Sequence, residues 1–156
     1  MIGVIPPFLL KTDDNPEGVD QSVFDDIMKA IKDDRPSYLS AFLKDFYNVD
    51  KLGGTRITDE AVQMSWNIAV GASAIATLAC VPTWLTDFHD DLPKIDVPTL
   101  IIHGGADRIL PFDATAKRLT ELIKNNKLVV IEDGPHAVIW THADKVNPEI
   151  LAFLKS

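Results

Sequence analysis

The chain has 156 residues, 46% of them apolar and 24% charged, which is enough to fill one ordinary domain with a core and too apolar for a disordered tail. A formal net charge of -8 and a pI near 4.8, with no compensating basic cluster, argue against a nucleic-acid or anionic-membrane surface. One cysteine, Cys80, excludes an internal disulfide; it lies in the apolar stretch from Ala72 to Val81 and reads as a small buried hydrophobe. The opening Met-Ile-Gly-Val-Ile-Pro-Pro lacks the basic start and long apolar stretch of a signal peptide. No later run approaches the ~20 residues of a membrane span, so a cytoplasmic location is expected.

In chain order, Ile2 to Ile5 is short, β-branched and closed by Pro6-Pro7, as at the end of a buried strand. A parallel strand here would draw its partners from upstream sequence, so the chain is expected to begin partway through a larger fold. The segment Lys11 to Gly18 is dense in turn formers and reads as a loop leading away from the sheet. Periodicity then becomes helical. Val19, Val23, Phe24, Ile27, Met28 and Ile31 recur at threes and fours, and Pro36 starts a second amphipathic segment carrying Leu39, Phe42, Leu43 and Phe46. Thr58 is placed to cap a third helix, with Asp59 and Glu60 in its first turn, and the small-residue run from Ala69 to Ala79 predicts a fourth that packs closely. These stripes read as core; the competing use, that Phe46, Trp66 or Trp84 lines a substrate pocket, is left open by spacing alone.

After Asp96 strand and helix alternate. Thr99 to His103 is a near-continuous apolar run, as in a strand covered on both faces, and a loop with Asp107 follows. Pro111 precedes a helix with Ala116, Leu119, Leu122 and Ile123 on its inner face, ended by Asn125-Asn126. Leu128 to Ile131 is the next buried strand, and His136 follows in Glu-Asp-Gly-Pro-His. A last helix is expected near Asn147-Pro148, with Pro at its first position and Ile150, Leu151 and Leu154 buried.

The chemistry turns on what an imidazole needs. To take a proton from a nucleophile, His136 must be held in one tautomer and its charged form stabilised, which a carboxylate on the far ring nitrogen does. Asp107 and His136 stand 29 positions apart, room for one helix and one strand, so two consecutive parallel strands would release them side by side at one sheet edge. The competing reading pairs Asp107 with Arg108 or a turn and leaves His136 an ordinary loop histidine; the matched positions favour the pair.

Three separated segments, Pro6-Pro-Phe-Leu-Leu-Lys-Thr-Asp-Asp-Asn-Pro-Glu-Gly18, Ile95-Asp-Val-Pro-Thr-Leu-Ile-Ile-His-Gly-Gly-Ala-Asp-Arg-Ile-Leu-Pro111 and Gly134-Pro-His-Ala-Val-Ile-Trp-Thr-His142, occur in the order found in one family. With them the chain resembles the carboxyl-terminal part of the cofactor-free haloperoxidases, also called non-haem chloroperoxidases or perhydrolases, of the α/β-hydrolase fold. The resemblance implies an α/β class: the last three parallel strands of the fold with flanking helices, plus a helical cap. Residues 1–14 and 95–156 would be core and residues 15–94 the cap insertion. It implies Asp107 as triad acid and His136 as triad base of a serine esterase. The acyl-enzyme of such an esterase is attacked by water, or by hydrogen peroxide to give a peracid that oxidises halide. No haem, metal or other cofactor is implied, and the substrate would be a small acyl ester or carboxylic acid.

The chain departs from that family in one respect: no Gly-x-Ser-x-Gly elbow occurs in it. The nearest imitation, Gly71-Ala-Ser73-Ala-Ile75, fails at its last position and follows a helical run. Ser40 and Ser65 also sit in helical stretches, while Ser22 and Ser37 read as cap or first-turn residues. His103-Gly104-Gly105 reads as a strand-terminal turn rather than an oxyanion loop. His89, His103, His136 and His142 show no metal-ligand spacing, and the acidic doublets, adjacent on helices, point to different faces. Two outcomes are therefore expected: an enzyme component completed by an upstream segment carrying the serine and oxyanion donors, or a catalytically inactive truncated product or interaction module that retains the hydrolase tail. In either case the strand at Ile2 to Ile5 offers a free edge for self-association or for an upstream fragment.

Overall fold

The computed structural model describes residues 1–155; Ser156, the last residue of the expected core segment, lies outside the described residues. Among the described residues nine regular elements of α-helix and strand follow in order: α1 (Gln21–Phe46), α2 (Val49–Leu52), α3 (Asp59–Gly71), α4 (Ala74–Cys80), β1 (Thr99–Gly104), α5 (Ala116–Leu122), β2 (Asn126–Ile131), α6 (Val138–Thr141) and α7 (Ala143–Leu154). Two short 3₁₀ segments, Val81–Leu85 and Leu92–Lys94, bridge α4 to β1.

Strands β1 and β2 are parallel, Thr99 opposite Asn126 through Gly104 opposite Ile131. Residues 1–3 run alongside the free edge of β1 as a third parallel segment. The Ile102 amide donates to the Met1 carbonyl (2.9 Å), and the Gly3 amide to the Ile102 carbonyl (3.0 Å). This run is shorter than Ile2 to Ile5, because Gly3 takes a left-handed φ of 52° and turns the chain out of the ladder. Alternation sorts the central strand between two layers. Ile101 packs with Ala116, Leu119 and Ile123 on the α5 side, while Leu100 and Ile102 pack with Val138 and Val146 on the α7 side. Strand β1 is buried throughout, but β2, with one neighbour only, is half-exposed and shows Val130 to solvent, which corrects the expectation of two buried strands.

The long helix α1 is two helices joined at Asp34, whose backbone leaves the helical region (φ -155°, ψ 84°) two residues before Pro36. The Asp34 carboxylate accepts from the Ser37 amide (3.1 Å) and hydroxyl (2.6 Å), so it caps the second half. Phe24 and Ile31 from the first half meet Leu9, Val81 and Leu110, fastening the helical segment to the sheet edge; Leu43 from the second half meets Tyr47, Leu52, Ile57 and Ala137. Thr58 caps α3 as expected, accepting from the Ala61 amide at 3.2 Å.

Four further expectations are corrected. Helix α4 does not pack closely: neither α3 nor α4 has a buried residue, Ile68 and Ile75 are exposed, and α4 meets the core through Leu78, which is only partly buried. Cys80, at the end of α4, is exposed for the same reason. Helix α7 starts at Ala143, with Pro148 inside it, and its apolar stripe turns Val146 inward and leaves Leu151 and Leu154 outside. Asn126 belongs to β2, yet its side chain ends α5 by donating to the carbonyls of Thr120 (3.1 Å) and Ile123 (2.7 Å). The Lys11 to Gly18 loop carries a buried Asn15, whose amide nitrogen donates to Phe8 (2.9 Å) and Leu10 (2.8 Å) carbonyls.

The two strand ends come together because Gly104 has no side chain: a Cβ there would lie 2.3 Å from the Gly134 carbonyl oxygen and 2.4 Å from that of Pro135. Gly104→Ala should therefore lower unfolding free energy by at least about 2 kcal/mol in urea titrations, since rigid backbone must move. Gly71→Ala, with nothing within 4 Å of the added methyl and a helical setting, should raise it by about 0.5–1 kcal/mol.

Candidate active site

Asp107 follows β1 by three residues, and His136 follows β2 by five, both at the carboxyl end of the parallel pair. The loops are bonded to each other: the Gly105 amide donates to the Ile131 carbonyl (2.7 Å) and the Ala106 amide to the Gly134 carbonyl (3.0 Å). His136 Nδ1 lies 2.8 Å from Asp107 Oδ2, and the Asp107 side chain is 1% exposed. The other carboxylate oxygen, Oδ1, accepts from the backbone amides of Ile109 (2.8 Å) and Leu110 (2.9 Å). A carboxylate taking three N–H donors orients the imidazole with its proton on Nδ1 and leaves Nε2 with a free lone pair. Phe46 stacks edge-on against the His136 ring, centroids 4.9 Å apart, and Gly3 meets its other side, where a Cβ would lie 3.2 Å from Cε1.

A second imidazole stands behind the acid. His103, fully buried on β1, points Nε2 at the Leu110 carbonyl (3.0 Å) and lies 3.5 Å from Asp107 Oδ2, while its Nδ1 has no hydrogen-bond partner. Burial pushes its pKa below the usual imidazole value, against the opposing pull of the Leu110 carbonyl and the Asp107 charge. This arrangement was missed in the sequence, where the histidine read only as part of a turn; the signal was a histidine at an inward position of a strand, four residues before the acid. His142 is also buried, at the junction of α6 and α7, with Nδ1 2.8 Å from the Thr141 hydroxyl. Asp133 nearby is held below the usual carboxylate range by Lys145 first and His142 second.

His136 borders a cavity of about 480 Å³ between the helical segment and the sheet edge, lined by Ile5, Leu9, Phe24, Tyr38, Phe42 and Trp84 among others. Of the three aromatics weighed in the sequence, Trp84 lines this cavity and Phe46 touches the imidazole. Trp66 lies in a separate groove, its Nε1 donating to the Pro36 carbonyl at 3.1 Å. Arg108 and Asp45 mark the cavity's polar rim.

No described serine borders the cavity. Ser73 caps α4, accepting from the Ala76 amide (3.3 Å); Ser65 bonds to the Ala61 carbonyl (3.0 Å) and the Tyr47 hydroxyl (2.8 Å); Ser22 and Ser37 bond to Asp20 and Asp34. Ser40 lines the separate groove. Among the described residues no three His, Cys, Asp or Glu side chains come together as metal ligands, and no single helix is long and apolar enough to cross a membrane.

Parallel strands that release an Asp and a His on consecutive carboxyl-end loops place the chain in the α/β class, and the comparisons give the family. The family profile described as alpha/beta hydrolase fold matches residues 14–143, and the chain belongs to that family. Over 155 residues it is 68% identical to a protein of Synechocystis sp. provisionally named a non-heme chloroperoxidase, covering 99% of this chain and 56% of that one. A bifunctional esterase/perhydrolase of Acinetobacter calcoaceticus is 33% identical over 158 residues, covering 100% of this chain and 57% of its own length. The crystal structure of a bromoperoxidase from Bacillus anthracis superposes with a TM-score of 0.93 at 37% identity, covering 99% of this chain and 56% of that chain. The chain thus spans little more than half the length of the relatives it matches, and its sequence is of the non-haem haloperoxidase type.

The buried neutral His103 makes stability depend on pH. The unfolded chain binds a proton at His103 more readily than the folded one, so stability should fall as pH drops below about 6.5, by up to about 1.4 kcal/mol per pH unit. His103→Gln, which keeps a donor toward Leu110, should flatten the urea midpoint between pH 7 and 5. Destabilisation below pH 4, which comes from carboxylates such as Asp133, should persist.

Proposed function

We propose that Asp107 and His136 are the acid and base of a serine hydrolase of the esterase/perhydrolase type, completed by a polypeptide segment that supplies the nucleophilic serine and the oxyanion donors. The observation that carries this reading is the 2.8 Å contact between His136 Nδ1 and a buried carboxylate that is fixed independently by two backbone amides. Residues 1–14 and 95–156 form the core part in this proposal, and residues 15–94 the cap.

In the reaction, His136 Nε2 takes the serine proton as the hydroxyl attacks the ester carbonyl. It then gives that proton to the leaving alkoxide as the tetrahedral species collapses to acyl-enzyme and alcohol. Asp107 holds the tautomer and stabilises the imidazolium formed between these transfers. Water, deprotonated by the same Nε2, attacks the acyl-enzyme to release the carboxylic acid and regenerate serine. Hydrogen peroxide in its place releases a peroxycarboxylic acid, which can oxidise halide away from the site. The apolar cavity beside His136 suits a small to medium apolar acyl group.

The completing segment would dock along residues 1–3, where the ladder continues from β1 and the outer side of the run is unpaired by β1 or β2. The lack of a Gly-x-Ser-x-Gly elbow in these 156 residues favours the second reading, a non-catalytic interaction module, and the same experiment separates the two. Co-expression with the amino-terminal part of the Synechocystis relative should yield a stable complex that hydrolyses aryl acetates. Asp107→Asn and His136→Gln should each cut kcat by about three to four orders of magnitude. This chain alone should show no turnover above the Asp107→Asn background. A stable complex without turnover would overturn the enzymatic reading in favour of the module.

A further inference from the structure

The corner between α1 and α2 touches both loops that carry the proposed acid and base, at atoms that its own helices do not need. Asn48, almost fully buried, sits in the left-handed region (φ 49°, ψ 50°), the only non-glycine residue with positive φ among those described. An asparagine at a helix start ordinarily spends its side chain capping that helix, but Asn48 makes no such bond to α2. Its amide nitrogen instead donates to the Ala106 carbonyl at 2.8 Å, across 58 positions of sequence. Its amide oxygen is buried with no hydrogen-bond partner. A left-handed backbone and an unpaired buried acceptor are both unfavourable, and together they place one donor on the residue that precedes Asp107.

Ala106 passes the connection on, since its amide donates to the Gly134 carbonyl at 3.0 Å, two residues before His136. The same corner holds the base from its other side: the Ala137 amide donates to the Phe46 carbonyl (3.1 Å), and the Phe46 ring lies on the imidazole. At the surface Arg108 reaches back to the corner, bonding both oxygens of Asp50 (2.8 and 3.0 Å) and one of Asp45 (3.3 Å). Those exposed ion pairs contribute little alone, so the buried Asn48 donor is the joint that fixes distance.

We propose that this corner sets the Asp107–His136 geometry from the cap side, with Asn48 as a positioning residue for the acid loop. The proposal rests on the reading of Asp107 and His136 as a functional pair. Any displacement of the cap, by a bound acyl group or by a completing segment, would be felt at the acid and base loops through the same bonds.

The test reads the His136 tautomer in the whole chain by long-range proton–nitrogen NMR, with no substrate or serine required. Wild type should show a slowly exchanging Nδ1–H that disappears in Asp107→Asn; spectra alike in both would sink the pair itself. Given that signature, Asn48→Gly, which keeps the left-handed backbone and loses only the side chain, should reduce the Nδ1–H population at least about twofold. Asn48→Asp, similar in volume but without the donor, should do the same. Ser65→Ala, which loosens the helical segment by removing the Tyr47–Ser65 bond, should leave His136 as in wild type. A wild-type His136 signal in folded Asn48→Gly or Asn48→Asp would overturn the proposal. So would failure of both to fold, which would make Asn48 a structural joint only.

Discussion

The structure is organised around one buried negative charge. A carboxylate with 1% of its side chain exposed is tolerated only where donors replace the water it has lost; an uncompensated charge in such a place costs about 3–5 kcal/mol. Asp107 has those donors: two amides of its own turn on one oxygen and the His136 imidazole on the other. The turn donors come free of long-range cost, because the backbone after β1 wraps round the side chain it carries. The imidazole does not. It must be brought across from another loop, and the surrounding contacts serve that requirement.

The parallel register of β1 and β2 puts the two loops at one edge, and glycine decides how near they come. Gly104 lies against the carbonyls of Gly134 and Pro135 at a separation no side chain would permit, and that closeness is what lets 2.8 Å be reached between Asp107 and His136. Helix α5 and helix α7 bury opposite faces of β1 and hold its end fixed. The helical segment then closes the third side through Phe24, Leu9 and Leu110 below and the Phe46–Asp50 corner above. His103 behind the acid adds a constraint of a different kind: an imidazole bonded through Nε2 to the Leu110 carbonyl packs 3.5 Å from the carboxylate, and burial disfavours its taking up a charge there.

What sequence could show follows from what is local. The strand at Thr99, the cap at Thr58 and the break ahead of Pro36 depend on residues within one turn of each other, and periodicity or capping chemistry exposes them. The Asp107–His136 pair was legible because strand ends convert sequence position into spatial position. Burial on one side of an element was harder. Leu151, Leu154 and Cys80 are apolar but exposed, and spacing alone does not say which apolar residues of an element meet a neighbour. The Asn48 joint and the tucked Asn15 loop were invisible for another reason: each is a polar side chain whose partner is a distant backbone carbonyl, and any residue type can supply that partner.

The same reasoning bears on how the chemistry is divided. In the proposed reading an acid–base pair needs only two loops of one sheet edge, and Asp107 and His136 lie on two such loops 2.8 Å apart. A nucleophile needs a strained turn of its own, since an ordinary serine in a helix or cap spends its hydroxyl on the nearest carbonyl or amide, as Ser22, Ser37, Ser65 and Ser73 do here. The two requirements are therefore separable along the chain. On that reading, a segment that brought a serine to His136 Nε2 would meet an imidazole already oriented by Asp107, so its binding energy would go into placing the hydroxyl and the acyl group rather than into ordering the base.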